Sequence, residues 1–549
     1  MATPHPPRTR PDAELPGTMA ATTPVQRRLA AALTRLRELQ DAGHTAIESR
    51  ELASEHRRAL ESAGFLRRVV KGWYLPTRPG DAPGDTTAWF AGMLDFIGAY
   101  CEVRFGDHWH LSPVHSLLVQ SGMTALPRQL IVHAPAAGNK LLELPEGCSL
   151  LMYARPNWPG PEAVTRAGRL RVLTIPAALV DVPERFFTTY PVEAQVALGQ
   201  LRDASDLNRI LLEGHPTVAG RLVGALRAAG APTLADDVLE TMRAAGYDVR
   251  EVNPFNAPLP TLGRSTPESP YVGRMRALWP RMREIVLQAF PAEPGLPPTR
   301  DARVAYLEDV QATYVMDAYH SLSIEGYRVS EELIQRVANG RWSPETDQGD
   351  AQRRDAMAAR GYHEAFAAVK ESIARILAGD APAAVVSRDH SRWYRRLFAP
   401  SVQAGLVSAR DLAGYRSGPV FIKNAAHVPP PHEAVRDMVP ALFELLDAEP
   451  SAAVRAVLGH FFFVFIHPYM DGNGRMGRFL MNAMLASGGY PWTVIQVDSR
   501  PVYFRALDVA STRGEIEPFV EFLATSMATT PEASDDMGTR RPESRSRRR

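Results

Sequence analysis

A histidine, a carboxylate, a glycine-bracketed turn and two arginines fall within one short run, His467-Pro468-Tyr469-Met470-Asp471-Gly472-Asn473-Gly474-Arg475-Met476-Gly477-Arg478. The stretch before it, Ala452 to Ile466 (AAVRAVLGHFFFVFI), is apolar almost all round and predicts a buried helix. The stretch after it, Arg475 to Ala486 (RMGRFLMNAMLA), predicts a second helix with Arg475 and Arg478 one turn apart on one face. Gly472-Asn473-Gly474 then sits at a helix N-terminus, where free backbone N–H groups and the helix dipole favour an anion. Glycines let backbone approach phosphate oxygens, and arginine binds phosphate as a planar fork. Asp471 adjoins that turn and suits Mg²⁺, which is typically held by one or two carboxylates plus substrate phosphates. His467, at the end of the buried helix, is placed to take a proton from an incoming hydroxyl. Together these parts suit nucleotide-dependent transfer to a side-chain hydroxyl. A lone GNG is usually a turn and an arginine pair usually a solvated face; the joint pattern is what points to chemistry.

The run resembles the signature of the Fic family, HxFx(D/E)GNGRxxR, and departs from it at Tyr469, where phenylalanine is usual. The resemblance implies AMP transfer from ATP to Ser, Thr or Tyr hydroxyls of target proteins, with His467 as general base and Asp471 as metal ligand. It implies that Gly472, Asn473, Gly474 and Arg475 hold the α- and β-phosphates and Arg478 the γ-phosphate, within a nucleotide-binding run that includes Met476 and Gly477. ATP and Mg²⁺ are the substrate and cofactor it implies.

Further matches extend over about residues 271–527. Val420-Phe421-Ile422-Lys423 is a short strand-like run followed by His427-Val428-Pro429-Pro430-Pro431, and looks like the family's flap, a hairpin that pairs with an extended target segment by strand addition. A strand ending in prolines is also a common edge-strand pattern. Downstream, Arg500, Tyr503, Phe504 and Ser511 occupy positions where similar enzymes surround the nucleoside; Tyr503 and Phe504 read equally as core aromatics of a helix. Upstream, Ser321-Leu322-Ser323-Ile324-Glu325-Gly326 closes a helical pattern from Ala302 to Glu325, with Gly326 as its stop. It matches the family's inhibitory motif (S/T)xxxE(G/N). Glu325 is then expected to pair with Arg478, taking part of the γ-phosphate site by competition for one guanidinium.

The chain has 549 residues, 45% hydrophobic and 22% charged, with a net charge of +1, which predicts about three globular domains and no global push toward nucleic acid. Only Cys101 and Cys148 occur, which argues against a disulfide framework or a cysteine zinc site. No apolar run reaches membrane-spanning length and the first residues lack a signal arrangement, so a cytoplasmic location without a membrane partner is expected. Residues 1–22 and 528–549 predict disorder, the latter as a basic tail. Residues 253–270 (NPFNAPLPTLGRSTPESP for 253–270) predict a linker.

Residues 23–80 give a helix, a short second helix ending at Gly64, and FLRRVVKGWYL as a hairpin. That order looks like a winged helix-turn-helix, with Arg57, Arg58, Arg67, Arg68 and Lys71 available to DNA phosphates, although Glu48, Glu51, Glu55 and Glu61 dilute the basic face. Residues 81–252 alternate strand-like and helical runs and are similar to AbiEi-type antitoxin or regulator proteins. His108, His110, His115 and His133 fit no metal-ligand spacing and read as core or surface histidines. The expected architecture is multidomain and mainly α: a winged helix, an α+β regulatory domain at 81–252, and an all-α Fic fold with a β-hairpin flap at 271–527. The expected function is an autoinhibited protein adenylyltransferase, with homo-oligomerisation left open. A DNA-binding transcriptional or toxin–antitoxin regulator whose Fic domain senses nucleotide, or an enzyme that removes AMP, are the alternatives.

Overall fold

The computed structural model describes residues 23–77, 79, 87–156, 158–259, 269–342, 350–412, 414–423 and 425–530. The expected disordered end at 1–22, most of the basic tail, and the middle of the expected linker lie outside these residues. The chain forms two compact units, 1–96 and 97–549.

The first unit opens with α1 (Pro24–Asp41), started by a capping box in which Thr23 and Gln26 satisfy each other's backbone N–H groups. It continues through β1 (Ile47–Glu48), α2 (Ser54–Ser62), β2 (Leu66–Val70) and β3 (Trp73–Pro76). The strands form an antiparallel sheet in the order β1-β3-β2. Leu36, Leu39, Ile47, Leu52, Leu60, Leu66 and Tyr74 make its core. Gly72 takes φ +86° in the turn between β2 and β3, a left-handed conformation that favours glycine. Arg57 is not presented to a phosphate: its guanidinium donates to the Ser49 carbonyl (3.0 Å) and lies over the Tyr74 ring. Arg58, Arg67, Arg68 and Lys71 are exposed.

Helix α3 (Thr87–Phe105) runs across the division between the units. The second unit begins as α+β: β4 (His110–Leu111), α4 (Pro113–Gln120), β5 (Gln129–Ala134), β6 (Lys140–Glu143), β7 (Ser149–Ala154), the hairpin β8 (Val164–Ala167) and β9 (Leu170–Leu173), then α5 (Ile175–Asp181), α6 (Phe186–Thr189), α7 (Pro191–Gly199), α8 (Ser205–Leu211), α9 (Pro216–Ala228) and α10 (Pro232–Ala244). The four-stranded sheet has the order β4-β5-β7-β6, with β5 and β7 parallel and the outer pairs antiparallel.

The rest is helical: α11 (Pro270–Ala289), α12 (Arg300–Ala312), α13 (Tyr314–Ile324), α14 (Glu331–Ala338), α15 (Asp350–Leu377), α16 (Pro382–Gln403), α17 (His432–Ala448), α18 (Ala452–Ile466), α19 (Asn473–Ala486), α20 (Arg500–Arg513) and α21 (Glu517–Thr529). One apolar core runs through these helices and takes in Val192 and Val196 of α7. At that junction Arg274 of α11 and Glu193 of α7 form a largely buried ion pair at 2.5 Å. The α+β and helical parts therefore share packing rather than hanging on a linker. Helix α18 is apolar on every side because its neighbours enclose it. Its first amides are satisfied by Ser451 and by Glu293, which accepts from Ala452 N–H at 2.6 Å.

Two expectations are corrected. The pattern from Ala302 to Glu325 is two helices, α12 and α13, separated at Thr313, whose hydroxyl donates to the Val310 carbonyl (2.8 Å) and tightens the last turn of α12. Val420, Phe421, Ile422 and Lys423 form no strand, and the expected β-hairpin is absent from the described residues there. Pro419, directly before the run, offers no backbone N–H to a ladder, and the next prolines follow at 429–431. Backbone pairing occurs just beyond: His427 bridges Ala125 in antiparallel fashion, and Val428 N–H donates to the Thr124 carbonyl (2.9 Å).

Candidate active site

Helix α18 ends at His467, which adopts a left-handed conformation (φ +53°) that reverses the chain into the glycine turn. Its Nδ1–H donates to the Val464 carbonyl (3.0 Å), which leaves Nε2 as the proton acceptor. Burial, reinforced by the nearby Arg416 guanidinium, lowers the pKa of this imidazole to about 4 against the raising influence of the Val464 bond and of Glu325 and Asp471. At neutral pH it is an uncharged base.

The turn is braced from inside. Asn473 accepts from Tyr469 N–H (2.9 Å) and donates to the Tyr469 carbonyl (2.8 Å), and Asp471 accepts from Gly472 N–H (2.6 Å). Tyr469 lies flat on Tyr394, with ring centres 3.8 Å apart, so the tyrosine in place of phenylalanine keeps a stacking role. Gly472 has φ +80°, and a Cβ there would lie 2.7 Å from the Phe398 ring. Glycine is therefore required twice over at the N-cap of α19.

Arg475 is buried and lies between the Tyr327 and Phe398 rings at 5.2 and 5.0 Å from their centres; its closest acid is Asp471, at 3.4 Å. Arg478 is buried on the same side. It donates through Nε to the Ser321 hydroxyl (2.9 Å), and through Nη2 to the Ser321 carbonyl (3.1 Å) and the Glu325 carboxylate (2.7 Å). Burial pushes the Glu325 carboxyl up, but Arg478 and then Arg475 outweigh it and hold the group below its ordinary value. Glu325 Oε1 also crowds the turn: a Cβ on Gly474 would meet it at 2.3 Å. The end of α13 is fixed by Gly326 (φ +86°) and by Arg500, which donates to the Ile324 carbonyl (2.7 Å).

The structure gathers His467, Asp471, Gly472, Asn473, Gly474, Arg475, Arg478, Ser321 and Glu325 around one turn. It separates others from it. Met476 is in the core, and Gly477 lies against Val464 and His460 of α18, so both serve the helix contact. Tyr503, by contrast, stays with the site: it is fully buried, its hydroxyl lies 2.8 Å from His460 Nε2, and it also meets the Arg478 guanidinium, while Phe504 is partly exposed under the Arg500 guanidinium and Ser511 is buried. Sequence reasoning missed Arg416. It is 2% exposed and its guanidinium is held by backbone carbonyls alone: His467 (2.8 Å), Gly418 (3.1 Å), Ile466 (3.4 Å) and Pro430. Its own N–H donates to the Pro468 carbonyl (2.9 Å). Arg416 thus ties the segment around 418–430 to the start of the glycine turn. The only sequence signal was an arginine in the run GYRSG with no acid beside it.

Residues 387–485 match the Fic/DOC family. The chain is 38% identical over 123 residues, 22% of this chain and 28% of the relative, to a protein of Nematostella vectensis named protein adenylyltransferase Fic. It is 27% identical over 228 residues, 41% of this chain and 43% of the relative, to the protein of that name in Drosophila virilis. The chain thus spans less than half the length of these curated relatives. A solved structure of Fic-1 (residues 134–508) from C. elegans aligns over 61% of this chain and 94% of its own length, with 18% identity and a TM-score of 0.34. The C-terminal region of this chain contains a Fic domain.

Proposed function

We propose that the chain is an autoinhibited protein adenylyltransferase that moves AMP from ATP to a Ser, Thr or Tyr hydroxyl of a target protein. The observation that carries this reading is the capture of Arg478 by Glu325 and Ser321 directly against the Gly474 turn, opposite an uncharged His467. It is supported by the names of the relatives. In this reaction the target oxygen bonds to the α-phosphorus as the bond from that phosphorus to the bridging oxygen of the β-phosphate breaks. Pyrophosphate leaves, and His467 Nε2 receives the hydroxyl proton. The amides at the start of α19 and the Arg475 guanidinium face the charge that develops on the phosphates. The exposed Asp471 carboxylate, its side chain 66% accessible, fits the single-carboxylate mode in which Mg²⁺ is held together with substrate phosphates. When bound, that ion supplies charge neutralisation. Glu325 blocks the reaction by occupying the guanidinium that a γ-phosphate needs.

Labelling from α-phosphate-labelled ATP is expected for Glu325→Gly, at least tenfold above the unaltered chain, and not for Glu325→Gly combined with His467→Ala. Folded Glu325→Gly protein that transfers no label would overturn the reading.

Contact of the first unit with DNA is a separate proposal, supported by the exposed Arg58, Arg67, Arg68 and Lys71. Retention on duplex DNA that weakens with salt, and falls when Arg68 and Lys71 become alanine, is the expected result; salt-independent or absent retention refutes it. Among the described residues no helix is long and apolar enough to cross a membrane.

A further inference from the structure

The α+β part of the second unit holds a cavity of about 650 Å³ with its own polar construction. It lies at the carboxyl ends of the parallel strands β5 and β7, where open α/β sheets characteristically take ligands. Three ring side chains form one row across the sheet there. His110 pairs with His133 between β4 and β5, and His133 with Tyr153 between β5 and β7; the ring centres are 5.4 and 5.7 Å apart. His133 and Tyr153 line the cavity.

Two nitrogens in this row lack any partner. His110 is fully buried and spends Nδ1–H on the Leu111 carbonyl (2.7 Å), leaving Nε2 with nothing to bond; Nδ1 of His133 is likewise buried and unpaired. Buried polar atoms without partners are rare; of these two residues His133 lines the cavity, whereas His110 packs behind it against Trp158. No third acid, thiol or imidazole joins them in a metal-binding group among the described residues.

The remaining walls define the occupant. Arg155 and Arg185 enter the cavity. Arg155 is neutralised by Asp181 at 2.7 Å, whereas Arg185 makes no ion pair among the described residues, so the lining carries one uncompensated positive charge. The first turn of the eight-residue α4 forms another wall through Ser112, Pro113 and Val114, and the Val114 amide there has no partner one turn earlier. Burial, with help from neighbouring His110 and Arg155, keeps His133 uncharged at neutral pH, so the imidazole offers a hydrogen bond and a ring face rather than a second cation.

We propose that this cavity binds a small phosphorylated molecule carrying a flat ring, of the size of a nucleoside monophosphate. The phosphate meets Arg185 and the start of α4, and the ring lies against Tyr153 and His133. This site is separate from the Fic turn and does not depend on transferase activity.

The test is hydrogen exchange on the full chain with AMP, adenosine or inorganic phosphate, in the unaltered protein and in Arg185→Ala and His133→Gln. Arg185 is exposed, so its replacement leaves folding intact. Expected is AMP protection of peptides around 110–116, 131–134 and 153–155, with an apparent affinity at least tenfold weaker in Arg185→Ala. Because the transferase site proposed above is also expected to take an adenosine phosphate, the position of protection discriminates. Protection confined to 467–478, or unchanged in both variants, overturns the proposal. Equal protection by phosphate alone overturns the ring contact, and equal protection by adenosine overturns the phosphate contact.

Discussion

Arg416 shows how a buried guanidinium bonded to backbone carbonyls, with Glu433 as its nearby acid, can organise a site. Four carbonyls from two chain segments converge on its guanidinium, and burial lowers its pKa to about 10, which still leaves it protonated at neutral pH. Removing it strands those carbonyls, each a buried acceptor worth about 1–3 kcal/mol when unsatisfied. Arg416→Met is therefore expected to lower the unfolding free energy by roughly 2–4 kcal/mol. In a Glu325→Gly background it is also expected to reduce labelling, because His467 and Pro468 lose their tether. Calorimetry alongside labelling checks both, and an unchanged melting point would show that solvent replaces the contacts without cost. At the same scale, His467, Asp471, Arg475, Arg478 and Glu325 were all legible in the sequence, because a motif fixes their identities and spacing. Arg416 and the aromatic walls Tyr327 and Phe398 were not, since each reaches the turn from a distant segment.

Among the elements, α18 and α19 were readable to within a residue or two, because Ala452 to Ile466 is apolar almost throughout and Arg475 to Ala486 is apolar apart from polar residues at helical spacing. The break at Thr313 and the absence of a strand at 420–423 were not readable. Both segments carry acceptable helix or strand residues, and at Thr313 a local side-chain bond to the Val310 carbonyl decides between states. The pairing of Thr124–Ala125 with His427–Val428 joins the α+β part to the segment that Arg416 holds. Gly122 shapes that loop at φ +71°, and its Cβ position lies 3.1 Å from the Pro270 backbone. Gly122→Val puts a β-branched residue in the left-handed region and should cost at least about 1–2 kcal/mol. Faster amide exchange at Val428 is the expected signature; unaltered exchange there would mean that the loop holds its place without the glycine.

For the whole molecule, buried uncharged imidazoles set the acid limit of stability. Burial is the main cause of the lowered pKa values of His427 and His460, both about 3, and of His467, about 4. In the unfolded chain these groups take a proton near pH 6.5. The unfolded state therefore binds more protons below that pH, so their stabilisation is complete above about 6.5 and is lost as pH falls toward 4. Asp317 works against them. Its burial raises its pKa to about 6, and its contribution is lost as pH rises toward 6. With these three and His115 and His133, both also lowered to about 4 by burial, against one carboxyl, stability should fall by roughly 4–5 kcal/mol per unit between about pH 6 and 4.5. Urea midpoints at pH 7 and pH 5 measure this, and equal midpoints would refute it.

The sequence by itself determined which residues make the turn and the helices on either side of it, because these are properties of residue type and short-range spacing; the pairing of Glu325 with Arg478 was expected only from the family resemblance, since the two lie far apart in the chain. The tertiary structure alone decided that Arg416 ties the segment around 418–430 to His467, that α7 and α11 share a core, and that His110, His133 and Tyr153 form a row across one sheet. Those relations join residues far apart in the chain. They depend on strand register and helix packing, which no local pattern encodes.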